Sequence, residues 1–128
     1  MNAAAEPRRH FPVPDLVTSL IAGRPVAPPS GGHDLPVVNP ATEQVVSRLR
    51  EADAAEVDAA VRAAREAFDR GPWPRLTLDE RKDVLYRIRD VLRAHTDELA
   101  YLECVTTGLP MLRIRDHIAR AARNFEFF

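Results

Sequence analysis

The sequence has little cysteine, little glycine and no long hydrophobic run, and each shortage excludes a class of protein. The single cysteine, Cys104, cannot form a disulfide within the chain, which excludes a disulfide framework and fits a reducing compartment. The five glycines match neither the G-x-G-x-x-G nor the G-x-x-x-x-G-K pattern. No apolar stretch reaches the ~20 residues that a transmembrane helix needs. We therefore expect a cytoplasmic protein that contacts no membrane. We also expect that this chain binds no cofactor by itself.

An excess of charge of either sign is also missing. The 18 lysines and arginines are balanced by 19 aspartates and glutamates, giving a net charge of −1. A surface that binds several phosphates needs a clustered positive excess, so we expect no nucleic acid partner. A length of 128 residues, 45% of them hydrophobic, is enough for one globular domain at most.

Candidate metal ligands and nucleophiles are few. The four histidines show no i, i+4 pair and no carboxylate-rich pattern, so we expect surface residues and no metal site: His10, His33, His95 and His117. Cys104 lies near the carboxyl end of a predicted helix, where the macrodipole disfavours a thiolate, and no base accompanies it. We interpret it as a structural cysteine and predict no catalytic residue. A small enzyme that uses Cys104 is the alternative, and activity retained in Cys104→Ser would exclude it.

Proline divides the chain into a region of strands and a region of helices. Eight of the eleven prolines precede Ala41, and proline removes an amide donor and favours extended geometry in the residue before it. The pattern predicts a hairpin over residues 20–26, a loop at 30–32, and strands at 35–38 and 45–49 around an Asn39-Pro40 turn. The segment 16–21 fits either a helical turn or a strand.

Capping boxes predict the helical region. Asp53 with Glu56 predicts a helix that ends at Gly71, and Thr77 with Glu80 predicts a longer helix that ends at Gly108 with a kink near 95–97. A third helix is predicted from about residue 110 onward. The expected fold class is α+β, with short amino-terminal β-strands and a hairpin followed by three amphipathic helices.

The predicted third helix carries an apolar stripe and a polar stripe. The apolar stripe consists of Ile114, Ile118, Ala121, Phe125 and Phe128. The polar stripe lies beside it and consists of Arg113, His117, Arg120 and Asn124. Guanidinium groups in such a stripe can clamp a carboxylate through two charge-assisted hydrogen bonds. Spacing alone favours the simpler interpretation of a solvated helix face.

The carboxyl end of the sequence is unusually apolar. Three of the five phenylalanines lie among the last four residues, whereas free chain ends are normally solvated. We expect an interrupted chain whose apolar helix face needs a partner surface.

The order of several short motifs resembles the amino-terminal region of the aldehyde dehydrogenase superfamily over residues 20–128, with 1–19 as an amino-terminal extension. The motifs are Val38-Asn39-Pro40-Ala41-Thr42-Glu43, Ala52-Asp53, Val57 to Val61, Ala63 to Phe68, Gly71-Pro72-Trp73, Glu80-Arg81, Asp97 to Ala100 and Thr107-Gly108-Leu109-Pro110. Within the superfamily, Glu103-Cys104, Leu112-Arg113-Ile114 and the run from Ile118 to Phe127 look most like the semialdehyde branch. The implied fold is the amino-terminal part of the family's α/β architecture, which belongs to its coenzyme domain.

The resemblance implies an activity and also what this chain lacks. Complete members oxidise an aldehyde to a carboxylic acid by attack of a cysteine thiolate, hydride transfer to NAD or NADP, and thioester hydrolysis aided by a glutamate. In the family these parts follow the matched region, so we expect an inactive amino-terminal fragment without catalytic, cofactor-binding or metal-binding residues. The implied partners are the remainder of the dehydrogenase or a homo-oligomer. The alternative is a non-catalytic interaction module, or a split-enzyme subunit, that docks through its apolar helix face.

Two positions depart from the family and one matches it. Many members have an aspartate in a D-x-G-K-P sequence that helps to hold a structural monovalent cation, but Thr106 and Leu109 stand at its first and fourth positions here. The resemblance therefore gives no support for that cation site. Arg120 matches an arginine of the semialdehyde branch that can face a substrate carboxylate at the mouth of the substrate tunnel. Arg120 is the one substrate-binding residue that the resemblance implies, and it would act in the intact enzyme.

Overall fold

The computed structural model describes residues 11–27 and 32–127 and confirms the predicted α+β class. Five short strands precede four α-helices in this part of the chain. The strands are β1 (Leu16–Val17), β2 (Leu20–Ile21), β3 (Arg24–Pro25), β4 (Asp34–Val38) and β5 (Val45–Arg50). The helices are α1 (Ala54–Arg70), α2 (Leu78–Ala94), α3 (Thr96–Thr107) and α4 (Met111–Phe127), with a 3-10 helix at Trp73–Arg75 between α1 and α2.

The predicted hairpin over residues 20–26 is confirmed. Strands β2 and β3 pair antiparallel, with Leu20 opposite Pro25 and Ile21 opposite Arg24. The two turn residues have positive φ angles, 51° at Ala22 and 75° at Gly23. A two-residue turn with positive φ at both positions matches the right-handed twist of the paired strands. The open choice for residues 16–21 is thus resolved in favour of strands.

The second sheet has the strand order β1-β5-β4. The two strands predicted around the Asn39 turn, β4 and β5, pair antiparallel. In this turn the Asn39 side-chain oxygen accepts a hydrogen bond from the Ala41 amide at 2.9 Å. Strand β1 runs parallel to β5. Just before β1, the Pro14 carbonyl accepts a 2.6 Å hydrogen bond from the Ser47 hydroxyl. This bond gives Ser47, a buried polar residue of β5, its partner.

Both predicted capping boxes are confirmed. The Asp53 carboxylate accepts from the Glu56 amide at 2.8 Å, and the Thr77 amide donates to the Glu80 carboxylate at 2.7 Å. Helix α1 ends at Gly71, where a Cβ atom would lie 2.2 Å from the Ala67 carbonyl oxygen. Glycine is therefore the residue that lets the chain leave α1 at this angle.

The predicted second helix is two helices, so the chain has four α-helices in its described part and not three. The break lies at His95, whose backbone angles of φ −106° and ψ 17° are not helical. The Thr96 hydroxyl then donates to the carbonyl oxygens of Leu92 and Arg93, both at 3.0 Å, and so satisfies carbonyls at the end of α2. The predicted kink is thus a full break, and it lets α3 as well as α2 pack against α4.

The hydrophobic core lies where α4 packs between α2 and α3. Its buried residues are Ala100, Ile114, Ile118 and Ala122. Ile114 and Ile118 of the predicted stripe are buried, but farther along α4 Ala122 is buried while Ala121 and Phe125 are half-buried. Packing against two helices moves the buried line toward the side that both partners cover. Phe128 of that stripe, His10 and residues 30 and 31 of the predicted loop lie outside the described residues.

Helix α1 contributes no buried residue. Its predicted apolar face remains open, with Val57 53%, Val61 62% and Phe68 70% exposed. Nothing in the described part of the chain covers this face. None of the helices that the structure describes is both long and apolar enough to cross a membrane.

Candidate functional site

The orientation of α4 is fixed by the turn before it and by the core behind it. Gly108 ends α3 in the left-handed conformation, with φ 76°. The Pro110 carbonyl then accepts from the amides of Arg113 at 2.9 Å and Ile114 at 3.2 Å, which starts the new helix. Because Ile114 and Ile118 face inward, the side chains on the opposite side of α4 face outward.

The polar stripe of α4 lies beside the buried residues of the helix and is open to solvent. All four of its members are exposed: Arg113, His117, Arg120 and Asn124. Three of these side chains have no ion pair and no side-chain hydrogen bond within residues 11–27 and 32–127: Arg113, His117 and Arg120. The stripe therefore presents two guanidinium groups to solvent whose hydrogen-bond donors are free to bind an external group.

Other cations near α4 are paired and hold the helices together. Arg115 of α4 lies 3.0 Å from the Asp97 carboxylate of α3. Arg93 of α2 lies 2.9 Å from the Glu126 carboxylate of α4, and Arg89 lies 3.4 Å from it. Hydrogen bonding to Asp90 raises the pKa of the Arg89 guanidinium, so this side chain stays charged. The charges that fasten α4 are thus distinct from those of the polar stripe.

A groove opens between α2 and α4 at one end of the polar stripe. Its volume is about 330 Å³, and it is lined by Leu85, Ala121, Asn124 and Phe125. Three of these side chains are apolar, and Asn124 is the polar member. The sequence alone did not indicate the groove, because Leu85 reaches it from another helix and no spacing rule joins the two helices. The available signal in the sequence was the predicted apolar stripe, because two of its residues, Ala121 and Phe125, line the groove.

A second cavity, of about 320 Å³, lies at the junction of α2 and α3 beside Phe11. Its charged lining groups have partners within the chain. The His95 Nδ1 atom lies 2.9 Å from the Glu98 carboxylate, and Asp97 is paired with Arg115. The polar groups of this lining are therefore already engaged in contacts within the chain.

Cys104 lies at the edge of the hydrophobic core. It is half-buried and packs against the core formed by Ala100, Ile114 and Ile118. At the position where many family members have the cation-binding aspartate, the Thr106 hydroxyl donates to the Leu102 carbonyl oxygen at 2.9 Å, so its proton is used within α3. Leu109, the other departing position, offers no side-chain oxygen. Among the described residues, no three histidine, cysteine, aspartate or glutamate side chains lie close enough to hold a metal ion.

The glycines of the described residues do not form a dinucleotide-binding loop. A dinucleotide-binding loop needs glycines between a strand and a helix, where backbone amides approach phosphate. Gly23 lies in the β2–β3 turn, and Gly71 and Gly108 lie at helix ends. None of the glycines that the structure describes lies between a strand and a helix.

The amino-acid sequence assigns the chain to an enzyme family. The profile of the aldehyde dehydrogenase family matches residues 27–128, so the chain belongs to this family. The segment corresponds to the amino-terminal part of the family's proteins, as the order of motifs had implied. In its relatives this region is part of a larger enzyme.

Individual relatives support the same assignment. The chain is 44% identical over 100 residues to a 2-hydroxymuconic semialdehyde dehydrogenase of Pseudomonas sp. strain CF600, covering 77% of this chain and 20% of the relative. Its structure is similar to an NAD-dependent aldehyde dehydrogenase from Sinorhizobium meliloti, with a TM-score of 0.82 and 33% identity over 91% of this chain and 23% of the other.

A third relative is an aldehyde dehydrogenase from Bacillus cereus, whose structure is a complex with NAD+. It matches with a TM-score of 0.77 and 38% identity over 84% of this chain and 22% of that one. The chain therefore spans between a fifth and a quarter of the length of these relatives.

Proposed function

We propose that this chain forms the amino-terminal part of an NAD(P)-dependent dehydrogenase that oxidises an acidic semialdehyde to a carboxylic acid. The observation that carries the proposal is the 44% identity to a 2-hydroxymuconic semialdehyde dehydrogenase, whose named substrate bears both an aldehyde and an acid group. The semialdehyde branch, to which the sequence motifs are similar, also contains 5-carboxymethyl-2-hydroxymuconate semialdehyde dehydrogenase. Such substrates arise in the breakdown of aromatic rings, and the proposed compartment is the cytoplasm.

Catalysis in this proposal is divided between the chain and the remainder of the dehydrogenase. The remainder would supply the nucleophilic cysteine, the glutamate and the dinucleotide site, because no residue pattern of this chain fits them. The coenzyme, when bound there, accepts the hydride of the aldehyde. This chain would contribute α4 as one wall of the substrate entrance. The remainder would also cover the open apolar faces.

Arg120 is the proposed substrate-binding residue. It lies on the outward side of α4, and no carboxylate within the described residues pairs with it. A guanidinium group can bind the acid group of a semialdehyde through two parallel hydrogen bonds. Because one end of the substrate would be held there, the aldehyde at the other end would point away from α4, toward the residues that react.

The test compares substrates with and without the acid group in the enzyme that contains this chain. We expect Arg120→Ala to lower kcat/KM for an acidic semialdehyde about tenfold or more, because a charged hydrogen bond is lost. The kcat/KM for a neutral aldehyde of equal length should stay nearly unchanged. Arg123→Ala is the matched control, because Arg123 is an exposed arginine of the same helix outside the polar stripe. Equal values for wild type and Arg120→Ala with the acidic substrate would refute the role of Arg120.

The proposal that this chain alone is inactive has its own test. The 128-residue chain, purified alone, should form no NADH when aldehyde and NAD+ are added. Reproducible aldehyde-dependent NADH formation that co-purifies with the chain would show that the chain does not need the remainder of the dehydrogenase for catalysis. Loss of that rate in Cys104→Ser would then identify Cys104 as the nucleophile.

A second candidate function is a docking module that binds another polypeptide. The exposure of Val57, Val61 and Phe68 on α1 favours it, since a large open apolar face marks an interaction surface. We expect such a module to associate with a partner in a concentration-dependent way and to lose this association in Val61→Lys. A chain that stays monomeric in sedimentation, with or without the remainder of the dehydrogenase, would contradict this candidate.

A further inference from the structure

Residues 11–17 run from the helices to the three-stranded sheet, and we call this segment the strap. At one end, the ring of Phe11 lies against the ring of Tyr101 on α3, with 5.9 Å between the centroids and 51° between the planes. This spacing and tilt are typical of a favourable aromatic pair. At the other end, the strap contains β1, which runs parallel to β5. The strap therefore joins α3 to the sheet.

The pairing of β1 with β5 has little support from packing. The two residues of β1, Leu16 and Val17, have side chains that are 37% and 40% exposed. Segments with few buried apolar contacts open at a low cost in free energy. Phe11 is half-buried, and its contact with Tyr101 gives the strap a second point of attachment.

Two prolines stiffen the strap between these attachments. Pro12 and Pro14 have restricted φ angles and no amide proton. A short, stiff linker keeps the Phe11 ring close to Tyr101 whenever β1 is paired, and it keeps β1 close to β5 whenever the ring is docked. The two attachments therefore support each other.

We propose that the strap is a latch, in which docking of Phe11 on Tyr101 holds β1 on β5. Release of the ring removes one wall of the cavity of about 320 Å³ at the α2–α3 junction, which Phe11 lines together with residues 93–98. The same release uncovers one edge of β5, because β1 is the neighbour of β5 on that side. Opening of the cavity and opening of the sheet edge are thus one event. This inference goes beyond the proposed function and does not depend on it.

Two backbone amides distinguish release of the strap from unfolding of the sheet. The Arg48 amide of β5 donates to the Asp15 carbonyl oxygen of the strap at 3.0 Å. The Glu51 amide, just after β5, donates to the His33 carbonyl oxygen at 3.0 Å, on the side of β4. A hydrogen-bonded amide exchanges with solvent when its bond opens. Release of the latch therefore exposes the Arg48 amide and leaves the Glu51 amide protected.

Amide hydrogen exchange of the 128-residue chain, measured residue by residue by NMR, tests the latch. We expect Phe11→Ala to raise the exchange rate of the Arg48 amide about tenfold, because an aromatic contact is lost. The rate of the Glu51 amide should change less than about twofold, since its bond lies outside the strap. Tyr101→Ala should reproduce the effect, whereas Tyr101→Phe, which keeps the ring, should stay close to wild type. Phe68→Ala is the matched control, because Phe68 is an aromatic residue that is 70% exposed on α1.

The outcomes either support or overturn the latch. A selective rise at Arg48 in both Phe11→Ala and Tyr101→Ala supports it, and the double variant should then show no larger rise, because both changes release one contact. An unchanged Arg48 rate in Phe11→Ala overturns it, since β1 would then stay on β5 without the ring. Equal rises at Arg48 and Glu51, or a loss of helix in circular dichroism, also overturn it, because the ring would then support the whole fold.

Discussion

At the scale of single residues, Gly108 joins a backbone requirement to a packing requirement. Its φ angle of 76° lies in the left-handed region, and a Cβ atom there would lie 2.7 Å from the Pro40 Cγ atom. The glycine thus ends α3 and lets the Asn39-Pro40 turn approach the helices closely. Gly23 has nearly the same φ angle, 75°, but nothing lies within 4 Å of the corresponding Cβ position. Both positions therefore strain the backbone of any other residue, but only at Gly108 would an added Cβ atom also meet a neighbouring side chain.

We expect Gly108→Ala to destabilise the fold more than Gly23→Ala. The left-handed conformation alone costs a non-glycine residue about 1 to 2 kcal/mol, and both variants bear that cost. The contact with Pro40 should add about 1 to 3 kcal/mol for Gly108→Ala only. Urea denaturation followed by circular dichroism measures both changes. Equal losses in the two variants would mean that the Pro40 contact relaxes without cost.

The second prediction at this scale concerns Glu80 in the capping box of α2. Hydrogen bonding from the Thr77 amide, with the Thr77 hydroxyl as a further donor, lowers the pKa of the Glu80 carboxyl. Because the folded pKa is below the unfolded one, the ionised group stabilises the fold fully above the unfolded pKa, about 4.3 for a glutamate. This contribution is lost as the pH falls through the lower, folded value.

The stability difference between wild type and Glu80→Gln should therefore be largest near neutral pH and should shrink below about pH 4.3. Unfolding curves of both proteins between pH 7 and pH 3 measure it. Asp79→Asn is the control, because Asp79 is an adjacent first-turn acid whose side chain is 90% exposed and takes no part in the capping box. A difference that stays constant with pH would show that the charge of Glu80 does not matter.

At the scale of elements, α4 is held by buried apolar side chains much more than by its ion pairs. Ile114 is 0% exposed, and its truncation to alanine should cost about 2 to 5 kcal/mol of unfolding free energy. Glu126 is paired with Arg89 and Arg93, but these are partly solvated pairs, so Glu126→Gln should cost less than about 1 kcal/mol. Chemical denaturation ranks the two variants. A larger loss in Glu126→Gln would assign the α2–α4 contact to electrostatics.

Local signals predicted most of the elements. The capping boxes at Asp53 and Thr77 and the terminating Gly71 and Gly108 fixed the helix ends, since each acts within one turn of chain. The break at His95 was predicted only as a kink, because its extent depends on packing of α3 against α4. The parallel pairing of β1 with β5 could not be predicted, since the partners are distant in sequence and β1 has only 2 residues.

The candidate site also has one feature that local sequence predicted and one that it did not. The polar stripe with Arg120 followed from helical spacing, because residues three and four apart share a face. The groove beside Asn124 did not, since its other wall includes Leu85 from α2. The displacement of the buried line from Ala121 to Ala122 has the same origin, because the sequence of α4 contains no information on where two other helices lie.

At the scale of the whole molecule, the described residues bury few apolar side chains and leave the apolar face of α1 open. The core comprises four buried hydrophobic residues, whereas Val61 and Phe68 are 62% and 70% exposed. Helices gain most of their stability from packing of an apolar face, so α1 depends here on its own capping and on ion pairs along its surface.

We expect Val61→Lys to improve the solubility of the isolated chain and to leave its helix content unchanged, because Val61 contacts solvent and no core. Ile118→Lys places a charge in the core and should unfold α4. Light scattering and circular dichroism of the two variants measure these outcomes. Loss of helix in Val61→Lys would show that α1 packs against another part of the chain.

The parallel pairing of β1 with β5 also sets an order of events during folding. Residues 16 and 17 meet residues 48 and 49, so a long loop must close before β1 finds its place. The β4–β5 hairpin closes a much shorter loop and can form earlier. Although β1 precedes β4 and β5 in the chain, we expect it to pair with β5 only after the β4–β5 hairpin has formed. We therefore expect changes in the Asn39 turn to slow folding, whereas loss of the Ser47–Pro14 hydrogen bond should speed unfolding.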